Sequence, residues 1–314
     1  MILPGFEYRK AASVAEAIAF YNDFQGKARY LAGGTDLMPL LKYRLSTPAA
    51  VVDLKGIQEL GAISADHGWL TIGANVTLFD LKNDPVVKEY FPVLCQSLEA
   101  TSCETLQMRG TIGGNLLQDT RCIEYNKTME WRTARGFCLK MGGETCNVVP
   151  HSRICLSNYC SDNALSLIAL SAEVSLAGPE GDKTTGLEKI FSGCGSRVFA
   201  LGPGEILTRI RIPMEKSRGV YEKLRVRNSI DYPLAAVAVA MRQNGARVCV
   251  GGVGPAPRVY DLTGTDAGSV RDGAQKAYTD ARAVPNSTLS PTYRRKMVRA
   301  LFRRAVNKIL SEGK

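Results

Sequence analysis

Apolar and polar positions along this chain repeat with two periods, about 3.6 and 2 residues, and the changes between them mark its elements. Ser13-Val14-Ala15-Glu16 is a capping box heading an amphipathic run to about Phe24, because the serine can accept from a free backbone N–H while Glu16 reaches back. A helix is expected there. Short strands are expected over residues 29 to 32 and 51 to 54, with Gly33-Gly34-Thr35-Asp36 and a helical stretch from Leu37 to about Arg44 between them. Ala62-Ile63-Ser64 and Trp69-Leu70-Thr71-Ile72, on either side of Asp66-His67-Gly68, read as a hairpin. Helical segments over 77 to 83 and 86 to 103 lead to a second glycine loop, Thr111-Ile112-Gly113-Gly114-Asn115.

From Asp119 to Cys160 neither period persists, and cysteines mix with arginines, tyrosines and a tryptophan. The segment reads as an insertion. Patterning resumes at Asp162 with an apolar stretch through Leu170, then a strand near residues 173 to 176, a turn at Gly178-Pro179-Glu180-Gly181 and a strand over 205 to 213. A boundary falls around Lys216-Ser217-Arg218-Gly219. Beyond it, residues 220 to 226, 235 to 242 and 247 to 253 have strand length, and a terminal helix with Tyr293, Met297, Leu301, Ala305 and Ile309 every fourth residue covers them. These make a compact α+β unit. Residues 254 to 289, rich in Gly, Pro, Asp and Ser, predict long loops, and no internal repeat is present.

Composition narrows the classes. With 314 residues and 45% hydrophobic content the chain can bury a large core, and two or three domains are expected. No apolar run reaches the length of about 18 residues that a membrane span needs, and the start lacks the charged and apolar regions of a secretory signal. Cytoplasmic residence is the expectation. Nine cysteines, an odd number, favour reduced thiols or metal ligands over a disulfide framework. The net charge of +10 is concentrated at the end, where eight basic residues after Ser290 face the single acid Glu312. That pattern suits a solvated basic face on a docked helix, or else an acidic protein partner or an anionic substrate. No aromatic residues interleave with the basic ones, which disfavours nucleic acid.

Glycine permits close approach and positive φ, so a glycine turn between strand and helix can aim backbone N–H groups at phosphate. Ala32-Gly33-Gly34-Thr35-Asp36 has that setting, and Thr111-Ile112-Gly113-Gly114-Asn115 offers a second such turn. Neither is G-x-G-x-x-G or a P-loop, so nicotinamide in a Rossmann fold and ATP both lose support. Either Gly-Gly pair alone is an ordinary tight turn. Two separate loops with polar residues beside them best suit a flavin dinucleotide.

Cys122, Cys138, Cys146 and Cys155 are spaced C-x15-C-x7-C-x8-C. Zinc sites commonly use C-x2-4-C pairs, and none occurs here. Four isolated thiolates better suit a 4Fe-4S cluster, whose faces point in four directions, with Arg121, Lys127, Arg132, Arg135, Lys140 and Arg153 moderating its negative charge. Scattered buried thiols and zinc are the alternatives. His151 is a ligand, a donor to cluster sulfur or a plain loop residue, and His67 belongs to a turn. No Ser/His/Asp order, G-x-S-x-G elbow, H-E-x-x-H or paired-carboxylate motif stands out, so no catalytic residue is assigned. The chain reads as an electron carrier.

On these residues the chain resembles the FAD-binding medium subunits of the xanthine dehydrogenase and CO dehydrogenase family, whose markers are glycine loops like 32 to 36 and a T-[IV]-G-G-N box like 111 to 115. Its insertion, from Asp119-Thr120-Arg121-Cys122 through Phe137-Cys138-Leu139-Lys140 to Cys146 and Cys155, looks like that of the β subunits of 4-hydroxybenzoyl-CoA reductases. The resemblance implies an α+β architecture. An FAD-binding domain of the vanillyl-alcohol-oxidase (PCMH) type would cover residues 1-215, in subdomains of about 1-57 and 58-215, with the iron–sulfur insertion at about 119-160. A C-terminal domain of the CO dehydrogenase flavoprotein type would cover 216-314.

Carried over by position, the FAD contacts it implies begin with Tyr30, Leu31 and Leu37 flanking Ala32, Gly33, Gly34, Thr35 and Asp36 at the pyrophosphate. Thr111, Gly113, Gly114 and Asn115 would close the other side, and Gln118 and Asp162 would meet ribityl or adenosine hydroxyls. Leu207 would pack on the cofactor, Lys223 would approach the flavin, and Thr101 stands where relatives place an aromatic residue. Cys160 is an added thiol without an assigned role. The implied protein carries FAD and a 4Fe-4S cluster and works with a large molybdenum-cofactor subunit, a small 2Fe-2S subunit and a ferredoxin donor, in a dimer of heterotrimers. It would feed reductive removal of the para-hydroxyl of 4-hydroxybenzoyl-CoA. A hydroxylase subunit running oxidatively, and a flavin-free zinc-stabilised scaffold, are the alternatives.

Overall fold

The computed structural model describes residues 2–243 and 245–311. The first lobe is a three-stranded parallel sheet in which Ala50–Asp53 lies between Glu7–Lys10 and Ala28–Leu31. Parallel neighbours need crossovers, and the helices Val14–Asp23 and Leu37–Lys42 supply them. Ser13 caps the first, accepting from Glu16 N, while Glu16 accepts from Ala12 N at 2.7 Å. All four residues of the middle strand are buried, and Ala17, Val52, Leu54 and Leu60 form the lobe's core.

The second lobe is a five-stranded antiparallel sheet, ordered Ile63–Asp66, Trp69–Gly73, Ile206–Pro213, Glu173–Gly178, Gly181–Gly186. The turn expected at 178 to 181 is thus the tip of a hairpin. A single helix over 86 to 103 is corrected by the structure. Pro85–Tyr90 and Pro92–Ala100 are separate helices, because Pro92 lacks an N–H and forces Phe91 out of the helical region, at φ −127° and ψ 63°.

The third unit is an antiparallel sheet ordered Gly219–Leu224, Ala235–Arg242, Gly245–Gly251, Arg258–Leu262. Successive strand residues face opposite ways. Ala236, Ala238 and Ala240 accordingly pack into the core around Leu94, Leu98, Leu165 and Ile168, whereas Ala235, Val237 and Val239 pack under the last two helices. The small alanines let the fully buried helix Asp162–Ala169 lie close to the sheet.

Two expectations for the end of the chain are corrected. Within 254 to 289 the structure has a strand, Arg258–Leu262, and a 14-residue helix, Ala267–Asp280, which buries only Val270, Ala274 and Ala277. So thin an apolar stripe, interrupted by Gly268 and Gly273, is hard to read as a helix. The terminal helix, Pro291–Ser311, buries Arg294, Val298, Leu301, Phe302, Ala305, Val306 and Ile309 and leaves Tyr293 exposed. A row of every fourth residue drifts about 40° per step around the axis and cannot stay on one face over this length. Arg294, one of the basic residues read as solvated, is buried and donates to the carbonyls of Leu234, Val284 and Gly252.

Candidate functional site: a nucleotide cleft beside a four-cysteine cavity

A cleft of about 780 Å³ opens between the lobes. It is lined by the first glycine loop, the second glycine loop, residues 205–207 and a loop of the third unit containing Arg227, Ile230 and Tyr232. Strand Ala28–Leu31 ends at this cleft and helix Leu37–Lys42 leaves it, so the turn between them is exposed to whatever binds. Among the described residues, the backbone N–H groups of Gly33, Gly34, Thr35 and Asp36 donate to no other group of the chain. Gly34 has φ +78°, which a side chain would strain. Gly33 is glycine for a second reason. A Cβ there would overlap the Arg109 carbonyl, because the segment before the second loop presses against it.

The second loop differs from the expected phosphate-holding turn. Its amides from Ile112 onward are committed: Ile112 N donates to Val76 O at 2.9 Å, Gly113 N to Ala74 O at 2.9 Å, Gly114 N to Thr111 Oγ1 at 3.1 Å and Asn115 N to Thr111 O at 2.9 Å. Asn115 Oδ1 accepts from Ser161 Oγ at 2.7 Å and Asn163 Nδ2 at 3.0 Å. A Cβ on Gly113 would lie 2.7 Å from that of Ala74. Residues 111 to 115 therefore shape the cleft wall, and the first loop supplies the free donors.

Apart from Leu31 and Lys223, every residue that the resemblance assigned to FAD lines this cleft. Lys223 is held elsewhere: its Nζ donates to Asp162 Oδ2 at 3.0 Å and Ala100 O at 2.9 Å. Tyr221 also donates to Asp162, whose carboxyl is pushed up by burial while Lys223 acts against that rise. Asp36 pairs with Arg121, and the Arg121 guanidinium lies 4.5 Å from the Tyr232 ring centroid. Burial pushes the Asp36 carboxyl up, with Arg121 opposing. Arg121 Nε is buried without a partner among the described residues. Free amides and a left-handed glycine at the first loop fit an anionic dinucleotide such as FAD.

Beside the cleft, Cys122, Cys138, Cys146 and Cys155 all line one small cavity, walled by Leu139, Val148, Leu156 and Val284. The insertion that carries them is not wholly irregular, for Thr128 caps a helix over Met129–Arg135 that ends at Gly136 with φ +91°. Buried Arg132 ties it to the first lobe, donating to Tyr43 O at 3.0 Å and Arg44 O at 3.1 Å. Asn286 ties it to the third unit, donating to Leu156 O at 2.9 Å. Burial pushes the Cys122 thiol up to about 11, with Cys155 and Cys138 adding to it, and raises the Cys155 thiol as well. Metal loading must therefore release protons. Among the described residues no three His, Cys, Asp or Glu side chains converge as they would on a single metal ion. The hollow itself is tight, about 20 Å³, too small as it stands for a cluster.

Several sequence expectations change here. The basic residues expected around the cysteines have other partners: Arg121 takes Asp36, Arg135 takes Glu124 and Lys140 takes Asp119. His151, at φ +73°, lies outside the cavity lining, and Cys160 is buried in the cleft wall. Tyr125, Tyr221, Tyr232 and Asn286 went unread as site residues, and Lys140 was read only for its charge near the cysteines. Only contacts between residues 15 (Tyr125 and Lys140) to 130 (Leu156 and Asn286) apart bring them together, and no local spacing carries that signal.

Residues 4–215 match the family described as FAD binding domain in molybdopterin dehydrogenase. The chain belongs to that family and is an FAD-binding oxidoreductase subunit of the xanthine and CO dehydrogenase type. It is 29% identical to the aldehyde oxidoreductase FAD-binding subunit PaoB of Escherichia coli strain K12 over 99% of both chains. It is 28% identical to the carbon monoxide dehydrogenase medium chain of Afipia carboxidovorans over the whole of both. The structure of reconstituted CO dehydrogenase from Oligotropha carboxidovorans contains a chain that superposes with TM-score 0.79 at 27% identity, covering 98% of this chain and 99% of that one. Among the described residues no helix is long and apolar enough to cross a membrane.

Proposed function

We propose that this chain is the electron-transfer subunit of a molybdenum hydroxylase-like complex, holding FAD in the cleft between residues 1-215 and the 216-314 unit. The carrying observation is the uncommitted N–H run from Gly33 to Asp36 in a cleft of about 780 Å³. When bound, FAD accepts or releases two electrons singly or together and so bridges different carriers. A large molybdenum-cofactor subunit and a small 2Fe-2S subunit are its proposed partners, in cytoplasmic complexes that pair as dimers of heterotrimers. The names of the relatives above, aldehyde oxidoreductase and carbon monoxide dehydrogenase, favour the oxidative direction. There substrate and water yield hydroxylated product, two protons and two electrons, which leave through FAD. The anaerobically purified complex should contain one FAD per copy of this chain. A complex with stoichiometric zinc and no flavin bands would instead support the scaffold reading.

One observation favours the reductive reading: four cysteines around a single hollow. The relatives' names place no iron–sulfur centre on this subunit, so the reading rests on the insertion alone. With a 4Fe-4S cluster there, a ferredoxin could deliver two electrons which, with two protons, convert 4-hydroxybenzoyl-CoA to benzoyl-CoA and water at molybdenum in the large subunit. Trp131, Phe137 and Ile154 are 39%, 46% and 42% exposed on the insertion, and Lys127 stands beside Trp131, exposed groups suited to an acidic carrier. Cys138→Ser should lower iron content while sparing FAD. Unchanged iron would remove the cluster assignment and leave the oxidative reading.

A further inference from the structure

Asp36 closes the run of uncommitted backbone N–H groups in the first glycine loop, and its side chain, 33% exposed, lines the cleft. An acid is out of place there. A phosphate accepted by that run would stand beside a like charge, and such juxtapositions oppose binding. Local structure gives the carboxyl no other task. It stands at the start of helix Leu37–Lys42 without accepting from any of that helix's amides, and its one side-chain hydrogen-bond partner among the described residues is Arg121, 85 residues along the chain.

The other groups facing Asp36 leave this pairing to do the work. Asp119 adds repulsion but is itself held by Lys140 at 2.5 Å, and the phenols of Tyr159 and Tyr232 are kept neutral by burial. Arg121 is the cation that remains. Its backbone is fixed against Asn158, N to O at 2.7 Å and back at 2.9 Å, and its guanidinium lies 4.5 Å from the Tyr232 ring centroid while it pairs with Asp36. It is not among the residues lining the cleft. We propose that Arg121 is a positioning residue for dinucleotide binding, which acts through Asp36 by masking its carboxylate so that the amide run can accept a pyrophosphate. The inference rests on the FAD reading given above. It makes the first basic residue of the insertion part of the phosphate site, although the insertion lies far along the chain from the glycine loop.

The test is a titration of the full-length chain, stripped of flavin, with FAD, followed by quenching of flavin fluorescence. Arg121→Gln, which bares the carboxylate, should weaken binding about tenfold, or about 1.4 kcal/mol. Asp36→Asn, which leaves the cation uncompensated, should bind several-fold more tightly than wild type. The double variant Arg121→Gln/Asp36→Asn, with neither charge, should return close to the wild-type Kd. A double variant as weak as Arg121→Gln alone would make the arginine a strut between the insertion and the glycine loop and overturn the masking role. Asp36→Asn that binds no more tightly than wild type overturns it as well, and that single titration decides if Arg121→Gln does not fold. These outcomes leave the FAD reading standing, whereas a wild-type chain that takes up no FAD ends that reading and the masking role with it.

Discussion

At the scale of single residues, buried charge and close backbone approach decide most. Asp53, at the end of the buried middle strand, works against its own burial, but hydrogen bonds from Lys55 and Tyr8 outweigh that and hold its carboxyl below the ordinary range. A depressed carboxyl contributes stability that is fully present above the unfolded value near 3.9 and is lost as pH falls through the folded one. Asp53→Asn should therefore lower the urea midpoint at neutral pH and narrow its loss on acidification to about pH 3. Gly33→Ala places a methyl in the Arg109 carbonyl and should cost FAD retention measured by absorbance. Gly61→Ala, with nothing within 4 Å of the new atom, should bind as before. Roles of this kind were half legible. A glycine pair announces a turn, but only the folded backbone shows that Gly33 serves loop packing and Gly113 the wall of Ala74.

Among elements, strand Ala235–Arg242 carries the densest information, since its alternate residues belong to two cores. Ala238→Leu would overpack the contact with helix Asp162–Ala169, a fault that typically costs about 1–3 kcal/mol. Phe302→Ala would hollow the opposite core at a cost of about 3–5 kcal/mol. Both should appear as lower denaturation midpoints. If the two faces were independent, the Phe302 change would leave packing near Leu165 untouched and the losses would add. The apolar runs made these strands readable. The helix Ala267–Asp280 was not, because three buried side chains in 14 residues give too weak a period.

For the whole molecule, the cleft is the joint. Its lining comes from the first lobe, the second lobe and the 227–232 loop of the third unit, so a dinucleotide bound there holds all three together. FAD at a hundredfold excess over its Kd should stabilise the fold by about 2.7 kcal/mol, read as a higher melting temperature that depends on FAD concentration. The insertion is fastened at both ends of this arrangement, by Arg132 to the first lobe and by Asn286 to the third unit. What the amino-acid order settled by itself was local: caps, strand runs, two glycine turns and a cysteine-bearing excursion, each carried by residues within a turn or a strand of one another. Tertiary structure decided the rest. It committed one glycine loop to packing and left the other's amides free, set Lys223 behind the cleft-wall residue Asp162, and drew four spaced thiols around one hollow. It also set Lys140 and Tyr125 between that hollow and the cleft, because contacts across many tens of residues are fixed by how sheets and helices bury their faces and not by any period along the chain.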